Sequence, residues 1–99
     1  MGDYNLLNLP ESIGYLTSLE ELYLENNELK FIPESIGNLT SLKWLYLNNN
    51  QLVDLPEVLV NLTSLQTLGL KDNPLLKNLN SITKSVMENL ERNEVKIIT

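Results

Sequence analysis

Apolar and outward-facing residues alternate along Trp44-Leu45-Tyr46-Leu47, and the polar run Asn48-Asn49-Asn50-Gln51 follows before Leu52. Alternation with a period of two predicts a short strand, with Leu45 and Leu47 on its inner face and Trp44 and Tyr46 on the outer one. The polar run predicts a bend. The other half of the unit, Pro33-Glu34-Ser35-Ile36-Gly37-Asn38-Leu39-Thr40, opens with residues that suit a short helical or 3₁₀ turn. Proline fits the first helical position and glutamate the positive end of the helix dipole. Gly14 and Gly37 are expected to end these turns, and Val60 occupies that place in the third copy.

The whole pattern recurs. Leu16-Thr17-Ser18, Leu39-Thr40-Ser41 and Leu62-Thr63-Ser64 stand 23 residues apart. The same step links Leu22 to Leu45 and Leu68, Pro10 to Pro33 and Pro56, and Asn27 to Asn50 and Asn73. A fixed period in this range marks one supersecondary unit stacked on copies of itself. Each unit reads as strand, turn, short helical piece and return, and equivalent strand residues form columns spaced by about 4.8 Å. Asn27, Asn50 and Asn73 fall where the chain leaves the strand. A side-chain amide there can both donate to and accept from the backbone of a buried bend, so a structural ladder is expected.

One domain, 1–99, is expected: a partial repeat at 1–8, full repeats at 9–31, 32–54 and 55–77, and a cap at 78–99. The cap reads as a helix over Ser81–Arg92, with Ile82, Val86 and Leu90 on its inner face. Asn80 or Ser81 would cap its start, and Asn93 would end it in a left-handed conformation. Val95-Lys96-Ile97-Ile98 reads as a further strand, added in parallel beside Leu68–Leu70 by a right-handed crossover. At the other end, a step back from Leu24 lands on Met1, and Tyr4 stands where the ladder asparagine is expected. The first strand is then expected to have an open edge on which another chain could pair. A two-fold antiparallel pairing centred on Tyr23 would set Glu21 against Glu25, so self-association needs a shifted register or the Met1–Pro10 segment.

The pattern Leu-x-x-Leu-x-Leu-x-x-Asn-x-Leu, carried by Leu19, Leu22, Leu24, Asn27 and Leu29 and by both copies, resembles the leucine-rich repeat. The Leu-Pro-x-x-Ile-Gly-x-Leu-Thr-x-Leu half is similar to the 23-residue subtype common in bacterial members, those of spirochaetes among them. The resemblance implies an α/β fold: a right-handed leucine-rich repeat solenoid with a short parallel concave sheet. That sheet would hold three repeat strands and the C-terminal strand, with the helix as cap. It also implies that the concave face recognises a protein.

Composition narrows the chemistry. The chain contains no Cys and no His, which removes thiolate chemistry, the commonest general base and the commonest metal ligands. A net charge of −6 disfavours nucleic acid and anionic membranes. No stretch is apolar enough to span a bilayer. With no signal pattern at the N-terminus, the sequence leans toward the cytoplasm and assigns no compartment. Asn38-Leu39-Thr40 and Asn61-Leu62-Thr63 match a glycosylation acceptor, but repetition of the unit already explains them.

The candidate partner-binding residues are therefore the outward strand positions Glu21, Tyr23, Glu25, Trp44, Tyr46, Asn48, Thr67 and Lys71. Aromatic side chains anchor interfaces because they bring large apolar area with a polar handle. No catalytic residue, metal or cofactor is assigned. Glu21 and Glu25 share a face without a second functional group beside them, and Lys71 opposes a cation at Glu25, Asn48 and Asp72. The expected function is a non-catalytic protein–protein interaction module. The alternative is a self-assembling or consensus-like repeat scaffold with no native ligand. A sheet of three or four short strands offers a face of roughly 300 Å² in projection, well short of the ~800 Å² per partner of a standard interface.

Overall fold

The computed structural model describes residues 5–99. Four short strands form one parallel sheet: β1 (Glu21–Tyr23), β2 (Trp44–Tyr46), β3 (Thr67–Gly69) and β4 (Lys96–Ile98), in that order. The sequence repeat becomes the sheet register, with Leu22 beside Leu45, Leu45 beside Leu68, and Leu68 beside Ile97. Opposite the sheet lie 3₁₀ turns at Glu11–Tyr15, Glu34–Asn38 and Glu57–Asn61, and a fourth, Pro74–Lys77, follows the bend after β3. Between the layers runs one continuous core, largely leucine, in which Leu24, Leu29, Leu45, Leu47 and Leu70 are wholly buried. No unit could bury this much apolar side chain alone; stacking does it for all of them.

The recurring prolines stand one residue ahead of their 3₁₀ turns rather than inside them, unlike Pro74, which opens its own. Pro10, Pro33 and Pro56 are extended, and their carbonyls accept the first turn bonds from Ile13, Ile36 and Leu59 at 3.0–3.2 Å. Gly14 and Gly37 do not end the turns through a left-handed conformation, since no glycine has positive φ among the described residues. Their reason is steric. A Cβ on Gly14 would lie 2.7 Å from Ser35 Cβ of the next unit, and one on Gly37 2.8 Å from Val58 Cβ. Val60 meets no fourth copy; the helix α1 (Ser81–Arg92) packs against its turn instead.

The asparagine ladder is present as expected. Asn50 Oδ1 accepts from Leu29 N–H at 3.1 Å, and its Nδ2 donates to the Leu24 and Leu47 carbonyls at 2.9 and 3.0 Å. Asn73 does the same for Leu52, Leu47 and Leu70. Asn27 Oδ1 accepts from Leu6 N–H at 3.0 Å. Each ladder residue thus grips its own bend and the one before it. The position of Tyr4 lies outside the described residues.

The cap helix spans the predicted residues but turns a different face inward. Thr83, Val86 and Leu90 are buried, whereas Ile82 is 52% exposed. Thr83 wins its place because its Oγ1 accepts from the buried Leu55 N–H at 3.2 Å, a donor that an isoleucine would leave unmet. Its own N–H donates to Asn80 Oδ1 at 2.8 Å, so Asn80 is the cap residue. Asn93 is not left-handed (φ −91°); Glu94 is, at φ 66°. Glu94 N–H donates to Glu91 O and Val95 N–H to Leu90 O, both at 3.0 Å. This is a Schellman stop, and it aims Val95 at Leu90 and the chain into β4.

Candidate functional site

The inward leucines fix what faces outward. With Leu22, Leu45, Leu68 and Ile97 aligned, one outward row runs Glu21, Trp44, Thr67, Lys96, and the next runs Tyr23, Tyr46, Gly69, Ile98. Past the strand ends the backbone ladder continues, with Leu24 N–H on Tyr46 O at 2.9 Å and Leu47 N–H on Gly69 O at 2.8 Å. Glu25, Asn48 and Lys71 make a third row there. All eight sequence-nominated residues therefore share one face.

The aromatic part of that face is ordered within the molecule. Tyr23 and Tyr46 stack with ring centroids 5.2 Å apart and an interplanar angle of 4°. Tyr23 hydroxyl donates to Glu21 Oε1 at 2.6 Å. This bond to the carboxylate, then desolvation and the nearby charges, pushes the Tyr23 pKa up to about 12. Tyr23 is 43% exposed, while Trp44 and Tyr46 are half-buried. Lys43 Nζ lies 5.9 Å from the Trp44 ring centroid and 3.4 Å from Glu20 Oε1, so it lies beside the indole with its charge paired.

Gly69 completes the row for a steric reason. A Cβ there would strike Asn48 Oδ1 and lie 3.0 Å from Tyr46 Cδ1, so only glycine lets both side chains lean over β3. Asn48 Oδ1 is buried in this crowding without a hydrogen-bond partner. The face is a platform, not a pocket. A hollow of about 560 Å³ lies off it, lined by Phe31, Asp54, Pro56 and Ile82 among others. Among the described residues no group of three or more Asp or Glu side chains is placed to hold a metal ion, and no helix is long and apolar enough to cross a membrane.

Sequence reasoning did not put Lys96 and Ile98 on this face. The signal was present, because Ile97 falls in the leucine column and its neighbours must point outward.

A family model described as a leucine-rich repeat region matches residues 1–93. The chain belongs to the leucine-rich repeat family. A solved leucine-rich repeat protein of Leptospira interrogans is similar to it, with a TM-score of 0.87 and 34% identity over 100% of this chain and 24% of that one. This leucine-rich repeat chain thus spans about a quarter of that protein's length. No curated protein matches it. The chain is an α/β leucine-rich repeat solenoid with a four-stranded parallel sheet and a C-terminal helix, and all of it superposes on part of that family member.

Proposed function

We propose that this leucine-rich repeat chain is a non-catalytic protein-recognition module that offers the outer face of β1–β4 to a protein partner. Tyr23, Trp44 and Tyr46 are the anchors; Glu21, Glu25, Asn48, Thr67 and Lys71 supply the polar surround. The observation that carries this reading is the stacked Tyr23–Tyr46 pair, tied down by Glu21 before any partner arrives. Rings already held in place lose little freedom on binding, which is where much of an interface's gross energy is otherwise spent. The smallness of the sheet limits affinity to the weaker range unless loops join the contact.

A peptide library displayed on phage and panned against the folded chain tests the proposal. Selected peptides should compete with one another and lose at least about ten-fold in affinity on Trp44→Ala or Tyr46→Ala, the cost of a modest hot spot. Peptides that bind these variants as well as the parent would refute it.

A second reading, self-association at the first repeat, has one observation in its favour. Leu16 is 50% exposed where its equivalents Leu39 and Leu62 are 0% and 3%. Sedimentation over a range of concentrations decides it, because a strict monomer removes this reading.

A further inference from the structure

The outward face is electrically lopsided. Glu21 of β1 leads across Trp44 and Thr67 to Lys96 of β4, and Glu25 leads across Asn48 to Lys71. The other charges nearby do not erase the gradient. Lys43 is engaged by Glu20 at 3.4 Å, and Asp72 sits at the left-handed bend after Lys71, past the strand rows. Among the described residues Glu21, Glu25, Lys71 and Lys96 form no ion pair. Carboxylates therefore gather on one edge strand, ammonium groups stand two and three strands away, and aromatic rings fill the middle.

We infer that this face takes an extended peptide segment of a partner protein, laid across the strands, with a basic side chain over β1, an apolar one on Trp44 and Tyr46, and an acidic one over β4. The inference rests on the recognition role proposed above and adds the partner's chemistry. Spacing follows from two lattices. The three steps from β1 to β4 span roughly 14 Å at about 4.8 Å each, and an extended chain covers roughly 13 Å in four residues. Residues i, i+2 and i+4 of an extended chain face the same way. The complementary segment therefore reads basic-x-apolar-x-acidic. A face of roughly 300 Å² accommodates five such residues better than a folded partner, whose footprint is nearer 800 Å².

Trp44 is the lone tryptophan, so its fluorescence reports occupancy of the face directly. The intact chain is titrated with end-blocked Lys-Ser-Phe-Ser-Glu and with the controls Lys-Ser-Phe-Ser-Lys and Glu-Ser-Phe-Ser-Glu. The mixed peptide should bind about three-fold tighter than either control at low ionic strength and lose that advantage in high salt. A net charge of −6 would by itself favour the double-lysine peptide, so the expected order appears only if the local pattern decides. In the Lys96→Glu variant the double-lysine peptide should become the best of the three.

Equal binding of all three, each weakened by Tyr46→Ala, overturns the charge pattern and leaves the recognition role standing. Silence toward all three, with display-selected ligands still competing on the face, overturns it as well. Failure of the display selection itself counts against the recognition role instead. A parent chain that dimerises and is made monomeric by Lys96→Glu would show a second copy on the face, which also overturns the inference.

Discussion

Leu16 and Leu39 are the same residue in the same unit, 23 positions apart, and they meet different surroundings. Leu39 lies between two units and is fully buried; Leu16 lies on the outer side of the first turn and is half exposed. At the far end Leu62 is as buried as Leu39, because α1 stands where a fourth turn would have been. A repeat therefore owes its core to its neighbours, and identical sequence does not mean identical contribution to stability.

The sharpest way to break this comparison is to truncate both leucines. Leu39→Ala should cost about 3 kcal/mol and lower the urea midpoint accordingly, whereas Leu16→Ala should cost under about 1 kcal/mol. Equal shifts would mean that Leu16 is covered in solution. The ladder gives the next effect. Asn50→Ala leaves the buried Leu29 N–H inside the array without its amide acceptor, a loss of about 2 kcal/mol. Asn27→Ala, nearer the first repeat, should lose less, because the bond it accepts from Leu6 N–H is only part-buried where the one Asn50 accepts from Leu29 N–H is buried. Thermal unfolding of the two variants side by side measures the difference.

At the closed end the expected change is a gain. Glu94→Gly removes a left-handed glutamate from the helix stop and should stabilise the chain by about 1 kcal/mol. A loss would mean that the Glu94 side chain holds the cap in a way its backbone does not reveal. The smallest effect is a titration at the first strand. Tyr23 is raised from 10.0 to about 12 in the folded state, so the native chain holds its proton longer than the unfolded one. The stability this gives is complete below pH ~10 and is lost as pH rises toward 12. Following tyrosinate absorbance, Glu21→Gln should return the late-titrating tyrosine toward 10, the ordinary value.

The array was legible because its register and its sequence period are the same thing. Knowing that Leu22, Leu45 and Leu68 share a column is enough to place Glu21, Tyr23, Trp44 and Tyr46 outside. What escaped depended on contacts that no period encodes. The Ile82, Val86, Leu90 spacing looks helical, but a hydroxyl owed to Leu55 N–H rotates the helix toward Thr83. Asn93 is the better left-handed former, yet the bond from Val95 to Leu90 places the reversal at Glu94. Gly14 and Gly37 announced themselves by recurrence, while their cause lies across the stack in Ser35 and Val58. The ordered Tyr23–Glu21 contact was likewise invisible, since alternation gives a face and not a hydrogen bond.

The double grip of the ladder asparagines has a mechanical consequence. Each one ties its own bend to the preceding bend, so the links bear load in series. Under tension applied at the chain ends, the array should part at one link at a time. Each release would free the same contour, 23 residues or roughly 80 Å, and give an evenly spaced sawtooth in a force–extension trace.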